Sequence, residues 1–385
     1  MSRITVRTSR MISLFALSQW LSACAALGSK AEGDRLARML RSPQYDAGSG
    51  AFRNPGGGRD IGEMDYVVML REYFFGDQQR IPESPLPQER VDPVAFLDPD
   101  DQVKFVWLGH STFLLRLDDR TILVDPVFGD YAGPVPLFGR RFQAPLQSPA
   151  DLPEPDVIVI SHDHYDHLEM ETMQHYADRN VQFVVPLGVG AHLEGWGVPA
   201  SSITELDWWE AIDVSGMTLT CTPARHASGR QVFDQNRTLW AGYALKTQKH
   251  NVFFSGDTGL FPAMHRIGEE LGPFDLAMVE VGAYDQGWPD WHIGPEQAVL
   301  ANQWLKGEVF LPIHWGLFDL ANHSWTEPME RVLVEAEARA VRVATPVPGG
   351  SFEPATVAAP KRWWPETEWR TAEAYPVLST QVDRD

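Results

Sequence analysis

The sequence predicts a layered α/β fold, and three observations carry that prediction. Residues 103–124 hold strand-like runs joined by short polar turns, the pattern of antiparallel hairpins. From residue 157 onward, short β-branched runs alternate with stretches of helical length, as in strand–helix–strand units. Of the 385 residues, 44% are hydrophobic and 22% charged, which is enough apolar material to bury a sizeable core between such layers.

Taken in order, residues 1–23 read as a signal peptide. Arg3, Arg7 and Arg10 make a positive start without an acid, and the apolar stretch 11–23 is too short to span a bilayer comfortably. It ends in Leu21-Ser22-Ala23-Cys24, which resembles the bacterial lipobox. That resemblance implies cleavage before Cys24, lipidation of its thiol, and an exported protein of the cell envelope held to the membrane by this lipid anchor. An ordinary signal peptide, or an uncleaved amphipathic start, is the alternative. Residues 24–101 then form a tether and N-terminal extension, with helices expected at 34–40 and 62–75 and loops rich in Gly, Pro and charge at 48–58 and 81–99.

Residues 102–350 carry the regular pattern. Strands are expected at 103–108, 112–117 and 121–124, with Asp118-Asp119-Arg120 as a hairpin turn. The Gly- and Pro-rich stretch 129–155 is a long loop, and long loops in compact domains are more often functional than idle. A strand at 157–160 and a helix at 168–178 follow, then strands at 181–185, 216–222, 238–246 and 251–255. Helices at 261–271, 295–305 and 326–338 alternate with strands at 275–281, 308–312 and 341–344. Residues 351–385, with Trp363, Trp364 and Trp369, read as a tail packed on the domain surface.

The composition also excludes some functions. A formal charge of −20 opposes polyanion binding, so no nucleic acid partner is expected, although one phosphate group held by metal ions remains compatible with it. Two cysteines, Cys24 and Cys221, cannot make a disulfide framework, and Cys221 in an apolar run reads as a buried, inert thiol. No Gly-x-Ser-x-Gly elbow points to a serine nucleophile.

The chemistry concentrates in Ser161-His162-Asp163-His164-Tyr165-Asp166-His167, directly after the apolar run 157–160. On extended backbone His162 and His164 share one side, whereas Asp166 and His167 come after the chain has bent. Imidazoles and carboxylates suit zinc and similar divalent ions, so His162 and His164 are candidates for one metal and Asp166 and His167 for a second. A solvated polar turn is the rival reading, and three histidines within six residues after a core strand weigh against it. A two-metal site needs further ligands. Three more strand-like runs close on a candidate: 218–225 on His226, 251–256 on Asp257 and 309–313 on His314.

Together these residues resemble the metallo-β-lactamase superfamily, whose H-x-H-x-D-H signature matches His162 to His167. The resemblance implies an αββα four-layer sandwich built as one catalytic domain with N- and C-terminal extensions. It also implies two bound divalent ions, Zn2+ by preference, with His162, His164 and His226 on the first, Asp166, His167 and His314 on the second, and Asp257 bridging. Within the superfamily, Trp107-Leu108-Gly109-His110-Ser111-Thr112, Glu205-Leu206-Asp207-Trp208-Trp209-Glu210 and Ile313-His314-Trp315-Gly316 are similar to the N-acylphosphatidylethanolamine-hydrolysing phospholipase D family. That narrower likeness implies a metal-dependent phosphodiesterase that attacks a phospholipid substrate with metal-activated water. A lactone, an amide or a small phosphodiester is the rival substrate class, and a non-catalytic envelope lipoprotein the rival role.

Three residues are assigned catalytic parts. Asp166 is a ligand. Asp125, after the strand 121–124, is expected to fix a ligand imidazole from behind, the alternative being a turn carboxylate before Pro126. His292 aligns with a family histidine near the reaction centre and is expected to bind phosphate or assist the leaving group, the alternative being a helix-start histidine with a structural bond. His110 is expected to pack under the site. His175, His192, His250, His265 and His323 are assigned surface or core roles, and Trp208-Trp209 core packing.

Overall fold

In the computed structural model, residues 24–55, 65–98, 103–136, 139–231 and 233–382 are described. The stretch 1–23, read above as a signal peptide, lies outside these residues, as does the start of the helix expected at 62–75.

Two seven-stranded sheets form the body of the molecule. In the first, the spatial order is Ser351–Phe352, Lys104–Gly109, Thr112–Leu117, Arg120–Val124, Val157–Val159, Gln182–Pro186 and Ile203–Leu206. In the second it is Arg342–Val343, Gly307–Ile313, Phe274–Glu280, Asn251–Phe254, Gly242–Lys246, Met217–Thr222 and Ala211–Val214. Each sheet is antiparallel on one side and parallel on the other: the hairpins at 104–124 and 211–222 are antiparallel, and the pairs joined through the helices Met170–Tyr176, Ala263–Glu270, Pro295–Leu305 and Glu327–Ala338 are parallel, as is the pair joined by the long 125–156 segment. That is the expected division, because a parallel pair needs a crossover long enough to hold a helix.

Side-chain alternation along the first sheet sorts the layers. Phe105, Trp107, Phe113, Leu115, Ile122, Val124, Val157, Val159 and Val184 face the core shared with the second sheet. Their neighbours Val106, Leu114, Leu123, Ile158, Phe183 and Val185 face outward onto Met170, Met173 and Tyr176 of the helix Met170–Tyr176 and Leu193 of Gly190–Gly195. Residues one apart point to opposite faces, so each strand serves two layers. Helices Ala263–Glu270, Pro295–Leu305 and Glu327–Ala338 belong to the second sheet's half, the last two packing on each other. The result is the αββα sandwich.

Several elements differ from the sequence reading. Strands Ile203–Leu206 and Ala211–Val214 and helices Pro93–Leu97 and Gly190–Gly195 were not expected. The strand expected at 238–246 begins only at Gly242. Before it the backbone bonds across to the first sheet: Leu239 N–H donates to Leu187 O and Ala241 N–H to Ser161 O. Ser351–Phe352, from the segment read as a tail, adds a strand beside Lys104–Gly109. Beyond it Trp364 is buried, edge-on to Trp315, and its indole N–H donates to Glu330.

Parallel strands deliver their carboxyl ends to one edge of the sandwich, where ligand sites form in open α/β sheets. Asp125, the 161–167 stretch, Asp257, Glu280 and His314 each close or follow such a strand.

Candidate metal centre

At this edge His162 Nε2 and His164 Nδ1 are 2.9 Å apart, and His226 Nε2 lies 3.2 Å from the same His164 nitrogen. These three atoms form one group of donors. Asp166 Oδ2 and His167 Nε2, 3.5 Å apart, belong to a second, with His314 and also His110 beside them. Asp257 stands between the groups. Its Oδ2 is 3.2 Å from His167 Nε2, 3.6 Å from His226 Nε2 and 3.8 Å from His162 Nε2, and its Oδ1 is 3.2 Å from His314 Nδ1. The structure thus brings together all seven residues singled out as metal ligands.

The backbone is bent to achieve this. His110, Asp125 and His314 have φ of +54°, +39° and +61°, a region that residues other than glycine enter rarely. Gly256, at φ +57°, precedes Asp257; a Cβ there would stand 2.5 Å from Ala241 O and 2.9 Å from Ser161 Cβ. Gly282 comes so close to the end of Gly307–Ile313 that a Cβ would sit 2.0 Å from His314 O.

Behind the donors lies a layer that fixes their orientation. Asp125, fully buried, accepts from His167 Nδ1–H at 2.7 Å and from the Ser161 amide and hydroxyl at 2.7 and 2.6 Å. It reaches the site only through His167, whose Nε2 is left facing the centre. His226 Nδ1–H donates to Trp291 O at 2.8 Å, which turns its Nε2 inward. His110 packs against His314 with ring centroids 4.0 Å apart and also meets Asp166 Oδ2 at 3.0 Å, a contact its structural role did not foretell. Asp163, buried among the histidines, points away from them and takes bonds from His192, Thr238 and the Gly229 amide. His323 accepts from the Ala283 amide. Trp208 is buried and bonded to Trp240 O, and Cys221 is a buried free thiol.

His292 stands at the wall, its Nδ1 2.7 Å from Glu280 Oε2. Glu280 was not foreseen. It is fully buried, accepts from the Thr258 amide, and joins Asp257, His292 and His314 in a further cluster of donors. The signal was available: Glu280 closes an apolar run just as Asp257 follows one, but it was read as strand interior.

The electrostatics suit cations. Burial holds His162, His226 and His314 well below the ordinary imidazole range, with neighbouring imidazoles adding to the effect, so these rings are neutral. Burial also lowers His167, but Asp257, Asp166 and Asp125 outweigh it and hold that ring well above its usual value. Burial pushes the Asp257 carboxyl up to about 7 and Glu280 well above its usual range. His167 Nε2, His314 Nε2 and Asp257 Oδ1 are buried and make no hydrogen bond. Orphaned buried donors and acceptors are costly unless something pairs them. Imidazole nitrogens and carboxylate oxygens facing one another without hydrogen-bond alignment fit a divalent metal, which would take the place of the proton the carboxylates hold on His167.

The donors open into a cavity of ≈ 290 Å³ whose wall includes Met69, Ala283, Trp288, Trp291, His292 and Leu320.

Known proteins resemble this chain to different depths. Residues 120–315 match a family model described as a beta-lactamase superfamily domain. An uncharacterized protein of Mycobacterium tuberculosis is 37% identical over 94% of this chain and 100% of its own length. The N-acyl-phosphatidylethanolamine-hydrolyzing phospholipase D 1 of Caenorhabditis elegans is 31% identical over 79% of this chain and 89% of its own. In fold, the chain is similar to Igni18, a metallo hydrolase from the archaeon Ignicoccus hospitalis, with a TM-score of 0.52 at 23% identity, covering 66% of this chain and 98% of the other.

Proposed function

The chain belongs to the metallo-β-lactamase superfamily as a metal-dependent hydrolase, and from that premise we propose that it is a two-metal phosphodiesterase of the phospholipase D type. One observation carries this reading: Asp257 lies within 3.8 Å of histidine nitrogens of both donor groups, at the foot of a cavity with a largely apolar wall. Paired cation sites suit a phosphodiester, and Met69, Trp288, Trp291 and Leu320 suit the hydrocarbon attached to it. The likeness to the C. elegans phospholipase supports N-acylphosphatidylethanolamine or a related phospholipid as the substrate.

His162, His164 and His226 would hold one metal, and Asp166, His167 and His314 the other, with Asp257 reaching both. When bound, the pair of divalent ions, zinc by its preference for nitrogen donors, supplies Lewis acidity to a phosphoryl oxygen and to water at neutral pH. The residues of the chain do the rest. Asp125 and Trp291 O hold His167 and His226 in the tautomers that present Nε2 to the centre. His292, with Nδ1 tied to Glu280, offers its other nitrogen to a phosphate oxygen or to the departing alcohol. Hydrolysis adds water across the P–O bond and yields an N-acylethanolamine and a phosphatidic acid. Cys24 is exposed, in keeping with a lipid anchor in the cell envelope that would keep the site near its substrate. Among the described residues no helix is long and apolar enough to cross a membrane.

The test is a panel of phospholipids, a bis-aryl phosphodiester and a lactone, given to protein whose metal content is measured on the same sample. Phosphatidic acid released from the N-acylated lipid is the expected result. Metal-loaded protein that opens the lactone and leaves every phosphodiester intact would overturn the assignment. Mass spectrometry of the mature N-terminus is expected to show a lipid-modified Cys24.

A further inference from the structure

Residues 375–380 follow the 285–297 segment contact by contact. The Gln286 amide donates to the Tyr375 hydroxyl at 3.2 Å, and the Gln297 side chain donates to Val377 O at 3.2 Å. Gly294 lies so near this segment that a Cβ would stand 2.7 Å from Val377 Cβ. The Ser379 hydroxyl donates to Leu260 O at 2.9 Å, three residues beyond Asp257.

The contact with chemical consequence is at Asp290, which is buried and has φ +67°. Its Oδ1 accepts from the Thr380 amide at 2.9 Å. Its Oδ2 accepts from the Thr380 hydroxyl and, at 3.3 Å, from the Arg225 guanidinium. Arg225 immediately precedes His226. Trp291, which immediately follows Asp290, supplies the carbonyl that receives His226 Nδ1–H. Asp290 therefore grips both supports of the His226 ring, and Thr380 grips Asp290.

We propose that residues 375–380 are a strap that completes the metal centre, with Thr380 and Asp290 as positioning residues for His226. Neither touches substrate. Both act through the backbone at Trp291 and Arg225, which set where His226 Nε2 stands relative to His164 Nδ1. Partners that orient a ligand imidazole from behind typically matter about 10–100-fold in metal affinity. The inference rests on the reading that His162, His164 and His226 hold a metal, and it is independent of the substrate.

The experiment uses the full chain and cobalt(II) as the probe, titrated by its visible absorption, with circular dichroism as the check on folding. Thr380→Val keeps the shape and removes the hydroxyl; it is expected to stay folded and to bind cobalt about tenfold more weakly, with an altered spectrum. Thr380→Ser keeps the hydroxyl and is expected to match the parent. Asp290→Asn keeps the shape, tolerates positive φ and removes the charge facing Arg225; weaker cobalt binding is expected again. Parent affinity and parent spectrum in both Thr380→Val and Asp290→Asn would overturn the proposal. Should Thr380→Val fail to fold, Asp290→Asn decides by the same two outcomes. A parent protein that takes up no cobalt would remove the metal reading and this inference with it, whereas absent phospholipid hydrolysis alone would leave it standing.

Discussion

At the scale of single residues, orientation carries the chemistry. Asp125 has no access to the cavity, yet it chooses which nitrogen of His167 faces the centre. Asp125→Ala is expected to lower metal affinity by about 10–100-fold, measured by competition with a chromophoric chelator. Gly282→Ala would force a Cβ to 2.0 Å from His314 O. Overpacking of this kind costs about 1–3 kcal/mol, so a lower denaturant midpoint is expected, read from urea unfolding. His323 offers a pH test away from the ligands. Burial lowers its pKa, and its Nε2 must stay unprotonated to accept from the Ala283 amide. The unfolded ring takes up a proton near pH 6.5 and the folded one only at lower pH, so its contribution is present above that range and lost as pH falls below it. His323→Gln is therefore expected to flatten the fall in unfolding midpoint between pH 7 and pH 5.5. The ligands were legible in the sequence because each follows an apolar run. Asp290 and Thr380 were not, because their roles depend on a contact between residues distant along the chain.

At the scale of elements, the strands with continuous apolar runs were readable and the mixed ones were not. Ile203–Leu206 and Ala211–Val214 are the outermost strands of their sheets and carry Thr204, Glu205 and Asp213, with Glu205 buried to accept from the Gly188 and Gly190 amides. Pro93–Leu97 is one short helix inside a stretch of Pro and acid, and Gly190–Gly195 starts and ends in glycine, so neither shows a helical period. Trp364 is the clearest case of an element whose importance composition alone conceals. It is 5% exposed and lies edge-on to Trp315, the residue after His314. Trp364→Ala is expected to cost about 3–5 kcal/mol of stability in chemical denaturation, a core-sized loss from what reads as a surface tail.

At the scale of the whole molecule, two half-parallel sheets face each other so that their carboxyl ends meet at one rim, and the donors come from both. Neither sheet alone supplies a complete set: His162, His164, Asp166 and His167 follow a strand of the first, and His226, Asp257 and His314 follow strands of the second. Metal should therefore clamp the sandwich shut. Chelation is expected to lower the melting temperature and abolish hydrolysis together, and restoring a divalent ion to restore both, followed by calorimetry and assay of one sample. The fold class was readable because hairpins and strand–helix alternation are local patterns. The pairing of the two sheets was reachable only through the family likeness, since no local pattern says which strand ends will meet.

The strand Ser351–Phe352 pairs with Lys104–Gly109, joining residues made late to residues made early. A ribosome builds the chain from its amino end, so every histidine of the centre emerges before the strand that closes the first sheet. During that interval the nascent protein carries its ligands without its finished frame. A chain cut before residue 351 would keep every donor of the centre and lack the edge strand beside Lys104–Gly109.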